Sequence, residues 1–447
     1  MLALALVWPA PVAAQDSQWW TNQYGNRARL LGGAVVGSSR DLSAVYYNPG
    51  GLGLVEEPEA LLTGFVFELD NLTYTGLLLE DTKVSSTSFD LLAGLIAGQL
   101  RFGFLGDSKL AYSYLLRHNL EYQFNEGEAL TGGPIPGLPA VESAAASLTL
   151  ETKLRESWGG LTWSKPLGRY GIGITTFVAN RSQRGRYGGS LLDLGETGVR
   201  TVSHQDRYDY YNWRLLWKVG LATSFSRWNA GLTVTTPSLN ILGSGNVEAQ
   251  SVGLLPGYQA VAITYQDALP ARYTSSWAVA TGFEYIGDGW RGHAAVEWFD
   301  RVDITIVDAE PYTAETDTTL VLSADVRNVM KSLVNVALGF EKDWNEKLSG
   351  YATAYTDFTG AEPGDGSITT TTPWNLWTVG AGAIFSIGRS QFTLGLTYKF
   401  GSEADLNHAD LIPGTDLDNQ LLSEDASGSF WRLTLVLGFN LEFGTGF

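Results

Sequence analysis

Residues 430–443 read FWRLTLVLGFNLEF, and they alternate between two kinds of side chain. One face is apolar throughout and carries Trp431, Leu433, Leu435, Leu437, Phe439, Leu441 and Phe443. The other face is mixed and carries Arg432, Thr434, Val436, Gly438, Asn440 and Glu442. A period of two residues is typical of a β-strand, because successive side chains point to opposite faces of a sheet. The stretch therefore predicts a strand with one face in an apolar environment and the other in a polar one.

The same alternation recurs in 391–400 and 333–341. Weaker versions of it predict ten further strands, at about 59–76, 109–124, 144–164, 169–183, 205–224, 227–236, 272–286, 290–306, 347–358 and 374–386. Segment 89–105 is ambiguous, because its apolar residues have helical spacing while its three glycines weaken a helix. When this segment is counted as a strand, the sequence predicts fourteen strands.

The connections between these strands alternate between short and long. The short connections are 106–108, 166–169, 225–227, 287–289, 343–346 and 388–390. The long connections are 77–88, 125–143, 184–204, 237–271, 307–328, 359–373 and 401–429. Outer-membrane β-barrels have an even number of strands, short turns at the periplasmic end and long loops outside. A soluble all-β protein, the alternative, has no reason to gather its long loops at one end.

Tryptophans mark the ends of the predicted strands. Those beside the short turns are Trp163, Trp228, Trp290 and Trp344. Those near the long loops are Trp213, Trp374, Trp377 and Trp431. Two aromatic girdles are expected at the two interfaces of a membrane barrel. The sequence thus predicts an all-β fold, a transmembrane β-barrel of about fourteen antiparallel strands in the bacterial outer membrane.

The composition excludes several classes of protein. The chain has 447 residues, no cysteine and a formal net charge of −18. An acidic chain lacks the basic surface that general nucleic-acid binding requires, so no nucleic-acid partner is predicted. The lack of cysteine excludes disulfides, thiolate metal sites and cysteine nucleophiles. The four histidines are scattered, and the sequence has no nucleophile elbow, P-loop or dinucleotide fingerprint. We therefore expect a protein that is not an enzyme and that uses no cofactor or metal.

The first 56 residues do not follow the strand pattern. Residues 2–8 are apolar and 12–14 form a small-residue cleavage site, which predicts a signal peptide over 1–14. The alternative is an apolar N-terminal helix that is not cleaved and remains part of the protein. Residues 15–56 combine small apolar residues, suited to a confined space, with turn-forming residues at 48–51. The sequence predicts a hatch over 15–56 inside a barrel formed by 57–447.

The segments 29–37 (RLLGGAVVG), 41–44 (DLSA) and 47–49 (YNP) resemble the N-terminal segment of the long-chain fatty acid transporter family, the FadL-like outer-membrane transporters of hydrophobic compounds. The family typically has an Asn-Pro-Ala motif, and this chain has Gly50 in place of the alanine. The strand count and the terminal Phe447 extend the resemblance over the whole chain. The resemblance implies a barrel occluded by an N-terminal hatch. It also implies that hydrophobic molecules enter from outside and leave when the hatch moves, in some members of the family sideways through the wall.

The turn formed by Asn48, Pro49 and Gly50 is the best candidate for a gating element, together with Asp41 and Arg40 before it. Asp41 is expected to cap a short turn. The alternative is a purely structural turn that ties the hatch to the first strand.

Several basic residues are candidates for charge contacts inside the barrel. Arg27, Arg29 and Arg40 are expected to anchor the hatch to lumenal carboxylates. A fatty-acid carboxylate calls for an Arg or Lys near the pocket mouth. The inward candidates are Arg117, Arg155, Arg214 and Lys218. For each of them the alternative is an ion-pair network in the lumen, and the substrate need not be a carboxylate. The acidic loops 307–328 and 401–429 suit either divalent bridging to lipopolysaccharide or simple solvation.

Three functions compete. Transport of hydrophobic small molecules follows from the resemblance, since an apolar pocket offers such solutes a path that an open aqueous pore does not. The second is a scaffold for protein interaction or a secretion shuttle, like the related fourteen-stranded barrels of type IX secretion. It implies a surface or periplasmic protein partner. A polar-solute porin is disfavoured because a hatch would block it. The other predicted partners are a hydrophobic ligand, outer-membrane lipid and lipopolysaccharide.

Overall fold

The computed structural model describes residues 12–13, 17–39, 41–55, 61–62, 65–76, 83–131, 141–195, 198–255, 258–315, 321–361, 373–387, 390–406 and 426–441. Within these ranges the chain is mostly β-structure, with three short α-helices near its start. Among the same residues no helix is both long enough and apolar enough to cross a membrane.

The helices are α1 (Asn26–Leu30), α2 (Ala44–Tyr47) and α3 (Pro49–Leu54). The strands, in chain order, are β1 (Val12–Ala13), β2 (Leu61–Leu62), β3 (Phe65–Thr75), β4 (Lys83–Ala93), β5 (Leu95–Leu100), β6 (Lys109–Thr131), β7 (Val141–Leu167), β8 (Tyr170–Gly195), β9 (Gly198–Phe225), β10 (Trp228–Thr235), β11 (Leu239–Leu255), β12 (Tyr258–Pro270), β13 (Ala278–Ile286), β14 (Trp290–Phe299), β15 (Val302–Val307), β16 (Tyr312–Thr313), β17 (Val321–Leu322), β18 (Val326–Met330), β19 (Leu333–Asn345), β20 (Leu348–Asp357), β21 (Leu376–Ile387), β22 (Ser390–Leu406) and β23 (Ala426–Leu441). β15 and β18 form a small sheet with β1, and β16 pairs with β17.

Antiparallel pairing runs round a wall and returns to its start, because the last strand, β23, pairs with β3. Four wall strands are interrupted, and each consists of two successive segments: β2 with β3, β4 with β5, β10 with β11, and β12 with β13. The uninterrupted wall strands are β6 to β9, β14 and β19 to β23. The described residues thus form fourteen antiparallel wall strands, which confirms the predicted barrel fold. We call the end with the short turns the inner end and the opposite end the outer end.

The ambiguous segment 89–105 is a strand over most of its length, and Gly94 interrupts it between β4 and β5. β5 pairs with β6, and β4 pairs with β3. In the described part of the chain no ladder joins β4 to β6. A side-chain hydrogen bond from Asn119 Nδ2 to Asp90 Oδ1, 3.2 Å long, bridges them instead. Among the described residues, β5 and β6 are therefore joined by a ladder, whereas the wall has a seam between β4 and β6 in its outer half.

The outer face of the wall is an apolar belt. Its exposed side chains include Leu161, Ile174, Val219, Leu232, Phe283, Leu338, Val379, Leu394 and Leu396. Such a surface would be unfavourable in water, whereas lipid acyl chains accommodate it. The alternation predicted for 430–443 is confirmed in its described part, since Leu433 and Leu437 are exposed whereas Arg432 and Thr434 are buried.

The tryptophan girdles are confirmed for most of their members. Exposed tryptophans near the inner end are Trp163, Trp228, Trp290 and Trp344, and Trp213 and Trp377 are exposed toward the outer end. Trp374 was expected in the outer girdle, but its side chain is 1% exposed. Its ring packs inside the barrel against Tyr74, with the ring centroids 5.9 Å apart, so this tryptophan belongs to the lumen.

Three predicted long loops are largely strand. Segments 125–143 and 184–204 contain the outward continuations of β6 to β9, and 237–271 forms the hairpin of β11 and β12. β7, β8 and β9 have 27, 26 and 28 residues, whereas about 9–11 residues cross a bilayer. Beyond the membrane neither face of a strand meets lipid, so the apolar alternation that predicts strands disappears there. Most of 401–429, most of 1–14, and Phe447 lie outside the described residues.

Candidate functional site in the plugged lumen

Residues 17–55, here called the plug, lie inside the wall. Near the outer end, Gln18 pairs with Thr359 and donates from Nε2 to the carbonyl oxygen of Trp374 at 3.1 Å. Near the inner end, α3 packs against β7, β8 and β9, and Lys109 Nζ donates to the carbonyl oxygen of Gly53 at 3.2 Å. The plug therefore runs through the lumen from the outer end to the inner end.

The turn before α3 rests directly on glycines of the wall. A Cβ atom placed on Gly50 would lie 2.5 Å from the carbonyl oxygen of Gly171 and 2.6 Å from that of Gly220. A Cβ atom on Gly173 would lie 2.5 Å from the carbonyl carbon of Pro49. Side chains do not fit at such distances, so only glycine on both sides lets the two backbones touch. This contact explains part of the glycine content, 52 of 447 residues.

Asn48 joins three parts of this contact. Its Nδ2 donates to the carbonyl oxygens of Val36 in the plug, at 2.8 Å, and Leu221 in β9, at 3.0 Å. Its Oδ1 accepts from the amide of Gly50 at 3.0 Å, which caps α3, and Pro49 occupies the first helical position, where no amide donor is needed. The Asn48 side chain is fully buried. Asn48, Pro49 and Gly50 thus form a close backbone contact between plug and wall near the inner end, here called the seat.

Asp41 shapes the plug locally. Its Oδ1 accepts from the amide of Ser43 at 2.8 Å, in the turn that leads into α2. Because this bond lies within the plug, Asp41 orders the approach to Asn48 and does not itself join plug to wall. Arg40 lies outside the described residues, so its roles in gating and anchoring stay predictions.

Ion pairs hold the plug against the wall. Arg27 Nη2 lies 2.7 Å from Glu341 and 3.5 Å from Glu284, which confirms the expected anchoring to lumenal carboxylates. Arg29 differs, because it donates to the carbonyl oxygen of Gln23 at 3.0 and 2.6 Å, within the plug. The backbone turn around α1 brings that carbonyl closer than any wall carboxylate in the described residues.

Sequence reasoning missed a second anchor near the start of the plug. Asp357 at the end of β20 accepts from the amide of Trp20 at 2.8 Å and from Lys399 Nζ at 2.8 Å. Lys399 also donates to the carbonyl oxygen of Trp20 at 3.3 Å. In the sequence, Lys399 lies on the polar face of the predicted strand 391–400. This position was the available signal that the Lys399 side chain faces the lumen.

An aromatic and aliphatic cluster lies in the lumen toward the outer end. Its aromatic members are Tyr74, Tyr122, Phe124, Tyr187, Tyr208, Tyr210, Tyr273, Tyr312, Trp374 and Phe430. Tyr187 and Tyr208 stack with ring centroids 6.1 Å apart, and leucines such as Leu72, Leu148 and Leu154 pack among the rings. This cluster, here called the aromatic cluster, is a packed apolar region of the lumen whose side chains are of the kind that bind apolar molecules.

Three of the four predicted basic candidates face the lumen. Arg117, Arg214 and Lys218 are 4%, 1% and 5% exposed. The prediction is wrong for Arg155, which is exposed on the outer face of β7. Neighbouring strand residues point to opposite faces, and Glu156 is the residue that β7 turns inward at this level.

Glu156 is the centre of a buried ion-pair network. Its carboxylate pairs with Arg181 Nη1 at 2.8 Å and with Arg214 Nη2. Both guanidinium groups also lie over the ring of Tyr273, with their carbons 4.4 and 4.5 Å from its centroid. Sequence reasoning missed Glu156 and Arg181. The available signal in the sequence was the apolar residue Leu161. A lipid-facing Leu161 assigns the odd positions of β7 to the outer face and the even positions, including 156, to the lumen.

Cations exceed carboxylates in this part of the lumen. Arg117 Nη2 donates to the carbonyl oxygen of Trp19, and Lys218 Nζ lies 4.3 Å from the ring centroid of Tyr46. Together with Arg181 and Arg214 they make four buried cations, against two carboxylates. Glu156 pairs with two of the cations, and Glu297, which accepts from Trp20 Nε1 at 2.6 Å, is the carboxylate that acts on Lys218. Arg214 Nε and Nη1 and Arg117 Nη1 have no hydrogen-bond partner in the described structure. The site is therefore positively charged where the aromatic cluster meets the plug.

A histidine near the outer end of β9 makes the wall sensitive to pH. His204 lies beyond Trp213, outside the membrane-spanning segment, with its ring nitrogens 2.9 Å from Asp206 Oδ2 and 2.7 Å from Ser251 Oγ. Burial alone lowers the pKa of His204, but the charge and hydrogen bond of Asp206 outweigh it, so the pKa is raised above 6.5. The charged pair contributes its full stability below pH 6.5 and loses it as the pH rises through the raised value.

We expect the urea midpoint of the protein to fall as the pH rises from about 5.5 to about 8.5, and the variant His204→Gln to show less of this fall. Urea unfolding at the two pH values, with both proteins in the same detergent, measures the difference. Equal pH dependence in the two proteins would contradict the assignment.

The described residues contain no group of three or more His, Asp or Glu side chains arranged to hold a metal ion. The acidic loop 401–429 is described only at its ends, so divalent bridging by it stays a prediction.

An antiparallel barrel with an apolar outer belt, two tryptophan girdles and an N-terminal plug defines an outer-membrane β-barrel of the FadL type of fold. No family model and no curated protein matches this sequence. Solved structures do. A Pseudomonas aeruginosa FadL homologue matches with a TM-score of 0.58 and 12% identity, over 97% of this chain and 100% of that one. The toluene transporters TodX of Pseudomonas putida and TbuX of Ralstonia pickettii match with TM-scores of 0.60 and 0.54 and identities of 10% and 12%. Each match covers 94% of this chain and 99% of the other. The predicted resemblance is thus confirmed at the level of the fold, and two of these neighbours are described as toluene transporters.

Proposed function

We propose that this chain transports hydrophobic small molecules that carry an anionic head group, of the fatty-acid type, across the outer membrane through its plugged lumen. The observation that carries the proposal is the excess of buried cations beside the aromatic cluster. Arg117, Arg181, Arg214 and Lys218 are all at least nine-tenths buried, and Glu156 alone of the described carboxylates forms an ion pair with any of them.

A buried charge is costly unless it is paired and hydrogen-bonded. Arg214 uses one nitrogen for Glu156 and leaves two others without partners, and Arg117 leaves one. Those nitrogens supply the donors that a carboxylate head group requires, and charge-assisted bonds to guanidinium groups are the stronger kind of hydrogen bond. An anionic ligand would offset the burial of these cations, whereas a neutral hydrocarbon would not.

The aromatic cluster suits the apolar part of the same ligand. Its rings and leucines come from β3, β6 to β9, β21 and β23 and from the segments between β12 and β18. A largely apolar lining with a few converging polar groups is the usual chemistry of a site for amphipathic small molecules. The toluene transporters among the structural neighbours carry a neutral substrate by name, and the buried cations favour an acid in this chain.

The seat formed by Asn48, Pro49 and Gly50 is proposed as the gating element. Transport past residues 17–55 requires part of the plug to move, and segments that gate a path are held by contacts that can open without unfolding the scaffold. One hydrogen bond of Asn48, from Nδ2 to the carbonyl oxygen of Leu221, and the glycine contacts hold this turn to β8 and β9. Opening them would leave the wall ladder unchanged.

A protein partner at the surface or in the periplasm, and the scaffold function that goes with it, stay predictions. The outward extensions of β6 to β9 and of β11 with β12 supply surface for such a partner.

Ligand binding tests the proposal. We expect the purified protein to bind a fluorescent long-chain fatty acid about tenfold or more tightly than its neutral methyl ester, because a hydrogen bond to a charged group contributes about 1.5–3 kcal/mol. The variant Arg214→Gln removes one guanidinium from the lumen and should reduce this preference about tenfold or more. Fluorescence titration in detergent measures both.

Arg227→Gln is the matched control, because Arg227 is the same residue type, exposed at a short turn of the inner end and paired with Asp288. It should leave both affinities unchanged. Equal binding of acid and ester by the wild-type protein, or equal effects of the two variants, would contradict the proposed head-group site.

A further inference from the structure

Five basic side chains lie together on the outward face of β7, β8 and β9. They are Lys153, Arg155, Arg184, Arg186 and Arg207, here called the outer basic patch, and all are exposed. The ladder places Lys153 opposite Arg184, and Arg186 opposite Arg207. They stand out in a chain with 29 basic residues against 47 acidic ones.

The patch begins where the apolar belt ends. On β7 the outward residues Trp163 and Leu161 precede it from the inner end, and on β9 Trp213 and Tyr211 do the same. Aromatic residues of this kind mark the membrane interface. On β7, Arg155 is the second outward residue after Gly159 in the direction of the outer end. The patch therefore starts at the level of the lipid head groups of the outer leaflet.

Two like-charged pairs face each other directly across strands. Like charges placed opposite one another destabilise a sheet. A wall strand outside the membrane accepts almost any polar residue, so the strand itself does not require this arrangement. A ligand of opposite charge would offset the repulsion.

Four carboxylates flank the patch on the neighbouring strands. Glu121 lies opposite Lys153, Asp209 opposite Arg184, Glu151 opposite Arg186 and Glu248 opposite Arg207. Glu121 pairs with Lys153 at 2.6 Å, and Asp209 accepts from Asn246 at 3.0 Å. In the described part of the chain none of the four arginines has a carboxylate within ion-pair distance. The amide oxygen of Gln205 accepts from Arg186 Nε and Nη2 at 2.5 and 2.6 Å. Among the described contacts, Arg155, Arg184 and Arg207 keep their guanidinium donors for a ligand.

We propose that the outer basic patch binds the phosphate groups of a phosphorylated outer-leaflet glycolipid, the lipid A moiety of lipopolysaccharide. Arginine is suited to phosphate because its planar group donates two parallel hydrogen bonds. The source is a lipid and not free phosphate, because acyl chains anchored at this height lie on the apolar belt directly below. Basic clusters at the edge of a membrane-spanning segment recognise anionic lipid head groups in this way.

Native mass spectrometry of the delipidated full chain with added diphosphorylated lipid A tests the proposal. We expect the triple variant Arg184→Gln, Arg186→Gln, Arg207→Gln to bind it about tenfold or more weakly than the wild-type protein. The double variant Arg301→Gln, Arg327→Gln is the control, because both arginines are partly or fully exposed at the small sheet of β15 and β18, away from the patch, and pair with Asp303. It should bind like the wild type.

The ligand is varied in the same titration. Dephosphorylated lipid A should bind the wild-type protein and the triple variant equally weakly, and millimolar inorganic phosphate should not displace lipid A. Wild-type affinity in the triple variant, an equal loss in the control, or displacement by phosphate would overturn the proposal. If the triple variant lacks the heat-resistant folded band on a gel, the single variant Arg184→Gln replaces it, with an expected loss of about threefold or more.

Discussion

Replacing Glu156 by glutamine is expected to destabilise the protein by about 3–5 kcal/mol, because breaking a buried ion pair from one side leaves an uncompensated charge. Glu156 is the carboxylate that pairs with Arg181 and Arg214, and each of these arginines is 1% exposed. Without it two guanidinium groups stay buried together over the ring of Tyr273. Urea unfolding followed by tryptophan fluorescence measures the loss.

Glu121→Gln is the control for this experiment. Glu121 also forms an ion pair at 2.6 Å, with Lys153, but its side chain is 65% exposed. An exposed pair contributes about 1 kcal/mol or less, so this variant should unfold almost like the wild type. A small effect of Glu156→Gln, comparable with that of Glu121→Gln, would show that the network does not hold the lumen together.

Replacing Gly220 by valine is expected to displace the plug from its seat. A Cβ atom on Gly220 would lie 2.8 Å from Pro49 Cδ and 2.9 Å from the amide nitrogen of Gly50, closer than side-chain atoms pack. Gly220 lies in a regular ladder with β8 and β10, so the wall holds its position and the turn at 48–50 must move. We expect ion conductance in a planar bilayer to rise about tenfold or more, because a barrel without its plug is a water-filled channel.

Gly159→Val separates displacement of the plug from a general effect of valine in the wall. Gly159 lies on the outer face of β7, and a Cβ atom there would have no heavy atom within 4 Å. This variant should conduct like the wild type. If Gly220→Val does not fold, Gly220→Ala supplies the same close contact with less bulk. A folded Gly220 variant with wild-type conductance would mean that the plug does not depend on this seat.

The fold was predictable where lipid imposes a pattern on the chain. Segments 391–400 and 430–443 alternate because one face meets acyl chains and the other meets the lumen. The outer hairpin of β11 and β12 was not predictable, since both of its faces lie outside the membrane. Segment 89–105 was ambiguous because Gly94 and its neighbours interrupt the pattern at the point where the strand itself is interrupted.

The candidate site was predictable only in its residue types. A lumen that binds an acid calls for arginine and lysine, and three of the four chosen residues face inward. Arg155 was assigned to the wrong face because a shift of one position exchanges the two faces of a strand. For the same reason Glu156, the next residue along β7, faces the lumen, where it is the centre of the ion-pair network.

By itself the sequence determined the class of the protein: an antiparallel membrane barrel with a non-strand segment at its start, because period-two alternation and turn chemistry are local properties of the chain. Only the tertiary structure decided which polar groups of the plug and the wall contact each other. Arg27 pairs with Glu341, the amide of Trp20 donates to Asp357, and the Asn48 side chain donates to the carbonyl oxygen of Leu221. These partners are hundreds of positions apart in most cases, and they depend on the strand register and on the path of the plug through the lumen. No local pattern encodes either of these.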